Sequence, residues 1–200
     1  MARPPAKTRL ICSLTAGDAA SMRAQMFEAA RGGADAVECR LDFLTAPPDD
    51  TQLASLLAEP PCEVVLTCRP LREGGRYAGP ESERLALLRR AAAAGGDFVD
   101  VEGDVPRADW PDRPVIISRH DLRGAPEDPR GALRRLEGAA AAVSKLVFAA
   151  GGPEDALLAL DLLRNARGPA IALAMGEAGL PSRLLPPQFG AFPTFASLAP

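Results

Sequence analysis

The chain has 200 residues, of which 47% are hydrophobic and 24% are charged. This profile is typical of one soluble domain that buries about 70% of its unfolded surface, and it excludes a miniprotein stapled by disulfides. The formal net charge of −3 is too even to favour nucleic acid or an anionic membrane as a partner. The sequence contains no apolar run near the roughly 20 residues that span a bilayer.

Short apolar segments bounded by Gly, Pro or Asp recur along the chain, as is typical of strands. We predict strands at 9–14, 36–41, 63–68, 97–102, 114–120, 143–148, 170–175 and 193–198. Helical periodicity between most of these segments predicts helices at 18–31, 51–58, 80–94, 130–141 and 153–166.

Strands that alternate with helices indicate an α/β fold with parallel strands joined by crossovers. A doubly wound open sheet and a (β/α)8 TIM barrel both fit. Eight strands without a Gly-rich nucleotide loop favour the barrel. The Pro-broken segment after the fourth strand predicts a short fourth helix, and the sequence stops soon after the eighth strand. We therefore expect residues 1–200 to form a single barrel domain, truncated at its C-terminus and lacking an eighth helix.

The four cysteines show no CxxC spacing, so we do not expect a zinc site. They lie in or beside apolar runs, at Cys12, Cys39, Cys62 and Cys68. The apolar stretch near the N-terminus is short for a signal peptide. Reduced thiols in such a chain favour a cytoplasmic protein.

Lysine is rare in this sequence. Of the 23 basic residues, only Lys7 and Lys145 are lysines, so arginine serves wherever a general surface cation suffices. A lysine kept inside an apolar strand indicates chemistry that arginine cannot perform. We expect Lys145 to point into the barrel, where burial and nearby arginines favour the neutral amine that attacks carbonyl groups. The alternative is an exposed lysine at the edge of a sheet.

Polar and charged residues gather near the C-terminal ends of the predicted strands, where barrels hold their active sites. They are Ser13, Glu38, Arg40, Asp42, Thr67, Arg69, Glu73, Ser118, His120 and Arg183. Such a ring of charges around an apolar interior indicates an anionic ligand. The simpler alternatives are a structural ion pair of Glu38 with Arg40, an ordinary polar His120, and a solvent-covered helix beginning near Arg183.

These residue types together indicate carbonyl chemistry on a carboxylate-bearing substrate. An arginine fork binds a carboxylate at two points. A lysine iminium withdraws electrons from a ketone and acidifies the adjacent carbon. A histidine can take that proton and later give one to a leaving hydroxyl. Because no cluster of His, Asp or Glu in the sequence has metal-ligand spacing, we expect the iminium, and not a metal, to serve as the electron sink.

Six segments resemble the type I 3-dehydroquinate dehydratases of the shikimate pathway, and they follow the order of that family. They are AVECRLDFL (36–44), TCRPLREGG (67–75), FVDVE (98–102), ISRHDL (117–122), SKLVFAA (144–150) and MGEAGLPSRLLPPQFGAFPTFASL (175–198). The resemblance implies a hydro-lyase that converts 3-dehydroquinate to 3-dehydroshikimate and water. It also implies that the enzyme needs no metal or cofactor and forms a homodimer.

The resemblance further implies three catalytic residues. Lys145 would form a Schiff base with the C3 ketone of 3-dehydroquinate. His120 would remove a proton from C2 and then protonate the departing C1 hydroxyl, while Glu73 would position His120.

Five residues would bind the substrate according to the same resemblance. Arg183 would hold the carboxylate. Glu38, Arg40 and Arg69 would contact the ring hydroxyls and neighbouring polar groups, and Ser13 matches a further contact.

The sequence departs from the family at its end. Family members continue into a loop with a Ser-Ala-Pro-Gly-Gln motif that closes over the substrate, whereas this sequence reads TFASLAP and stops. A naturally short chain and a truncated protein, such as one fused to a second shikimate-pathway enzyme, both explain this. Two other functions stay open, namely a class I aldolase-like Schiff-base barrel and a catalytically silent truncated barrel.

Overall fold

The computed structural model describes residues 8–198, and its strands lie where the apolar segments predict them. Every strand boundary falls within one residue of the prediction. The strands are β1 (Arg9–Leu14), β2 (Ala36–Arg40), β3 (Glu63–Thr67), β4 (Phe98–Glu102), β5 (Val115–Asp121), β6 (Val143–Ala149), β7 (Ala170–Met175) and β8 (Pro193–Ser197).

Six α-helices alternate with these strands within the described residues. They are α1 (Ala19–Arg31), α2 (Asp50–Leu57), α3 (Glu81–Ala94), α4 (Pro129–Glu137), α5 (Pro153–Arg164) and α6 (Pro181–Leu184). The predicted helix at 130–141 is too long, because Gly138 caps α4 and Ala140 has a left-handed φ of 55°. Between β4 and β5 the chain forms only a 3-10 turn, Arg107–Asp109, so the prediction of a reduced fourth helix is confirmed.

Internal contacts divide the chain into two compact units, and residues 10–115 with 195–198 form the first. Its strands β1, β2, β3 and β4 pair in parallel with their chain neighbours. Side chains cap the N-termini of two helices. Asp18 accepts from the backbone N–H of Ser21 at the start of α1, and Asp49 forms a capping box with Gln52 at the start of α2. The second unit comprises residues 8–9 and 116–194.

In the second unit β5, β6 and β7 are also parallel neighbours. Helix α5 follows Gly152 with a proline at its first position and two acidic residues in its first turn. Its buried residues Leu160 and Leu163 lie on one face, whereas Leu157, part of the predicted apolar pattern, is exposed.

Hydrogen bonding orders the strands as β7-β6-β5-β4-β3-β2-β1-β8 within one sheet. A doubly wound sheet reverses its strand order at a switch point, and this sequential order excludes that alternative. The chain therefore has the parallel (β/α)8 fold that the sequence predicts, with six helices among residues 8–198. None of the helices in this part of the chain combines the length and apolar character needed to cross a membrane.

Candidate active site

The predicted site residues fall in both units. The first unit holds Ser13, Glu38, Arg40, Arg69 and Glu73, and the second holds His120, Lys145 and Arg183.

Lys145 is buried in the middle of a three-strand segment. It is the third residue of β6 and is 4% exposed. It lies in register with Ser118 of β5 on one side and with Ile171 of β7 on the other, and both of these are buried too. Because β6 has a strand on each side, the alternative of an exposed lysine at a sheet edge is wrong.

His120 lies on the same face of this segment as Lys145. It follows Ser118 by two residues, and side chains alternate between the two faces of a strand. Val147 of β6 lies in register with His120 and follows Lys145 by two residues. Two residues advance a strand by about 6.6 Å, comparable to an extended lysine side chain. The amine of Lys145 can therefore reach the level of the half-buried imidazole.

Arg183 is held by a tight connection after β7. The Ser182 hydroxyl accepts from the N–H of Ala174 (3.0 Å) and donates to the carbonyl of Gly179 (2.7 Å). A Cβ at Gly179 would collide with the Ala174 carbonyl, so this close approach requires glycine. The Thr194 hydroxyl donates to the Arg183 carbonyl at 2.7 Å. These bonds fix the backbone of α6 at the exit of β7.

Glu38 is held by hydroxyls from the two strands beside it. Its Oε2 accepts from Ser13 Oγ at 2.7 Å, and its Oε1 accepts from Thr67 Oγ1 at 2.9 Å. The side chain is buried. With one hydroxyl on each oxygen, the carboxylate has a fixed orientation.

Arg40 forms a bidentate ion pair with Asp42. Its Nε and Nη2 donate to the two carboxylate oxygens at 2.9 and 2.7 Å, and its guanidinium lies 4.8 Å from the ring centroid of Phe43. Asp42 also accepts from the backbone N–H of Arg76, in the loop after β3. Burial acts to raise the pKa of Asp42, but the hydrogen bonds and charge of Arg40 bring that pKa below its ordinary value.

Arg69 is buried among three carboxylates. Its Nη2 lies 2.7 Å from Asp100 Oδ1, and its Nη1 lies 2.6 Å from Glu102 Oε1 and 3.6 Å from Glu73 Oε2. Burial opposes the charged form, yet the charges of Asp100, Glu102 and Glu38 raise the pKa of Arg69 above its ordinary value. The guanidinium is thus permanently charged and fixed in direction.

The loop that carries Glu73 is anchored on the backbone of Arg69. The N–H of Tyr77 donates to the Arg69 carbonyl at 3.1 Å, and the N–H of Gly75 donates to the Pro70 carbonyl at 3.1 Å. Gly75 packs so closely that a Cβ would overlap the Arg69 carbonyl. The loop therefore holds Glu73 beside Arg69, whereas its predicted pairing with His120, in the other unit, stays a prediction.

Sequence reasoning missed three buried charged residues of the first unit. Asp100 and Glu102 of β4 and Arg84 of α3 are fully buried. A signal was present, since FVDVE carries acids at alternate positions of an apolar strand, as AVECR carries Glu38 and Arg40. Arg84 stands four residues before Leu88 on the apolar face of α3, where a lone arginine is easily taken for a surface residue.

Comparisons with known proteins point to one family. The sequence profile of the family described as Type I 3-dehydroquinase matches residues 10–200. A 3-dehydroquinate dehydratase of Methanopyrus kandleri is 35% identical over 195 residues, covering 94% of this chain and 89% of that protein. A bifunctional 3-dehydroquinate dehydratase/shikimate dehydrogenase of Arabidopsis thaliana is 34% identical over 200 residues, covering 94% of this chain. The present chain spans 33% of that bifunctional protein.

A solved structure supports the fold. The crystal structure of a 3-dehydroquinate dehydratase from Geobacillus kaustophilus superposes with a TM-score of 0.83 and 26% sequence identity. The superposition covers 95% of this chain and 82% of that one.

Proposed function

The chain belongs to the type I 3-dehydroquinase family, and we propose that it removes water from 3-dehydroquinate through a Schiff base on Lys145. The product is 3-dehydroshikimate, an intermediate of the shikimate pathway. The observation that carries this mechanism is the burial of Lys145, in register with Ser118 and on the face that also bears His120. Lys145 is the only lysine in the sequence between residues 8 and 198.

The reaction follows from the chemistry of a lysine and a histidine on one face. The neutral Nζ of Lys145 attacks the C3 carbonyl carbon, and loss of water gives an iminium. The iminium draws electrons from C2, so His120 can remove a C2 proton and leave an enamine. The enamine pair expels the C1 hydroxyl, which takes a proton from the imidazolium and leaves as water. Hydrolysis of the iminium releases the product and restores the amine.

The remaining predicted residues bind the substrate or position other side chains. We assign the substrate carboxylate to Arg183, whose planar fork suits two-point recognition. Glu38, Arg40 and Arg69 are assigned to the ring hydroxyls and neighbouring polar groups. Their side chains already have fixed partners within the first unit, so substrate binding costs little side-chain conformational entropy.

Three further assignments follow from the family resemblance. Ser13 contributes a substrate contact through the hydroxyl that also orients Glu38. Glu73 holds the orientation of His120. The enzyme works as a homodimer. Its placement in the cytoplasm rests instead on the cysteines, since the free thiols of all four support a reducing compartment.

Reductive trapping tests the Schiff base. Borohydride added with 3-dehydroquinate is expected to attach substrate mass to Lys145, as located by peptide mass spectrometry. Lys145→Ala should abolish the adduct, and Lys7→Ala, at the other lysine in the sequence, should keep it. Labelling elsewhere, or none, contradicts the proposal. Labelling by a phosphorylated ketone but not by 3-dehydroquinate favours an aldolase instead.

A further inference from the structure

Arg84 of α3 is the largest fully buried side chain described in the structure, with 0% of its surface exposed. Its Nη1 donates to the carbonyl of Cys68 at 2.8 Å. Its Nε and Nη2 donate to the two oxygens of Glu81 at 2.9 and 2.6 Å. The same Nη2 lies 2.6 Å from Glu102 Oε2. One guanidinium thus touches a strand end, a helix start and a buried carboxylate.

Arg84 is buried, whereas two other arginines of the same helix, Arg89 and Arg90, are exposed. They pair with the half-buried Asp109 and the exposed Asp50. Transfer of a guanidinium out of water is costly unless charged and hydrogen-bonding partners replace the water. Those partners are therefore the reason that Arg84 occupies the interior.

Two of these partners, the Cys68 carbonyl and the Glu102 carboxylate, are connected directly to Arg69. The Cys68 carbonyl belongs to the peptide bond that Cys68 forms with Arg69, so Arg84 fixes the backbone where the Arg69 side chain begins. Glu102 Oε1 lies 2.6 Å from Arg69 Nη1, while Glu102 Oε2 faces Arg84. Arg84 therefore acts on Arg69 from both its backbone and its guanidinium end.

We propose that Arg84 is a positioning residue for Arg69, holding it through the Cys68 carbonyl and the Glu102 carboxylate in the direction that receives the substrate. The inference rests on the proposed function, in which Arg69 contacts substrate polar groups. Arg84 itself has no exposed surface and acts only through its neighbours.

The charges explain why a neutral side chain cannot replace Arg84. Arg69 has carboxylates on three sides, Glu73, Asp100 and Glu102, and Arg84 is the second cation beside Glu102. Burial already raises the pKa of Glu102, against the opposing charge of Arg69. Without Arg84, Glu102 Oε2 would lose its cation in the interior. The carboxyl would then take up a proton or turn away, and Arg69 would lose a charged partner.

Steady-state kinetics with 3-dehydroquinate tests the inference. Arg84→Met, which keeps the length but removes the charge, is expected to raise KM by about 10-fold to 100-fold and to change kcat by less than about 3-fold. Arg84→Lys restores a charge beside Glu102 and should recover at least half of that loss on a logarithmic scale. Arg90→Met, on the exposed face of the same helix, is the matched control and should leave KM unchanged.

A second variant separates positioning from general loss of structure. Glu102→Gln keeps the shape of the side chain and should also raise KM. The double variant with Arg84→Met should be no worse than the more affected single variant, because both act through one chain of contacts. Additive effects of the two substitutions contradict the inference. If Arg84→Met fails to fold by circular dichroism, Arg84→Lys and Glu102→Gln decide, and unchanged KM in both overturns the inference.

Crystal structures distinguish this failure from failure of the proposed function. If wild-type protein does not dehydrate 3-dehydroquinate, the proposed function is wrong, and the position of Arg69 in the folded variants still tests Arg84. A displaced Arg69 guanidinium in Arg84→Met, with a smaller displacement in Arg84→Lys, supports the positioning role. An Arg69 that keeps its contacts with both Asp100 and Glu102 in Arg84→Met refutes it.

Discussion

The two units differ in the number of charged side chains that they bury and in how those charges are paired. In residues 10–115, arginines meet carboxylates in the interior, as Arg69 meets Asp100 and Arg84 meets Glu102. In residues 116–194, the buried polar residues described are hydroxyl-bearing side chains and a single charged one, Lys145. The first unit contains several fixed charges, whereas the second contains one ionisable amine on an apolar strand.

This difference corresponds to two functions, substrate recognition and nucleophilic attack. Ion pairs that are complete before a ligand arrives hold donors and acceptors in fixed directions, which suits recognition of a substrate with several hydroxyls. A single buried amine on the strand face that also bears a histidine suits nucleophilic attack followed by proton transfer. We therefore expect substitutions at the buried ion pairs of the first unit to change binding and stability, and substitutions at His120 or Lys145 of the second to change the chemical step.

The largest effect should come from His120. His120→Ala removes the proposed acid and base and is expected to lower kcat by about 100-fold to 10,000-fold. The borohydride adduct on Lys145 should remain, since the Schiff base forms on another residue. Turnover and intact mass measure the two quantities. Arg119→Ala, on the opposite face of β5, is the control, and wild-type turnover in His120→Ala would remove His120 from the mechanism.

A smaller effect should appear in the acid stability of the first unit. The folded-state pKa of Asp42 lies below its ordinary value of 3.8. Its stabilising contribution is therefore present above the unfolded-state pKa and is lost as pH falls through the folded-state pKa. Asp42→Asn should lower the free energy of unfolding at pH 7 by about 2 kcal/mol, the scale of a hydrogen bond to a charged group.

Urea unfolding of wild type and Asp42→Asn at pH 7 and near pH 2 measures this change. The two curves should approach each other as the pH falls, because protonation of Asp42 removes the charge that Arg40 binds. Asp50→Asn, at an exposed ion pair with Arg90, is the control and should change stability little. An equal difference at both pH values would show that the ion pair with Arg40 is not its source.

The smallest effect concerns the thiols, all four of which lie in the first unit. Burial raises the pKa of Cys39 and of Cys68 to about 12. Compared with a free thiol, this lowers the thiolate fraction at neutral pH by a factor on the order of 1,000. Iodoacetamide should therefore label the half-exposed Cys62 first, and Cys39 and Cys68 only after denaturation. Early labelling of Cys39 or Cys68 would show that the interior of this unit opens readily.

The sequence by itself determined the alternation of strands and helices, and it predicted the family to which the chain belongs. Strand boundaries depend on local apolar runs and on Gly, Pro and Asp at their ends, all of which can be read within a few residues. The rarity of lysine was enough to single out Lys145, and the structure places it in the interior.

Only the tertiary structure decided which carboxylate each arginine binds. Arg40 pairs with Asp42 on its own segment, but Arg69 reaches β4, and Arg84 reaches both β4 and the end of β3. An arginine side chain is long and carries donors in a fork, so its partner depends on which strands and helices lie beside it. Sequence spacing contains no measure of that distance, and the role of Arg84 could be inferred only after the strands were in place.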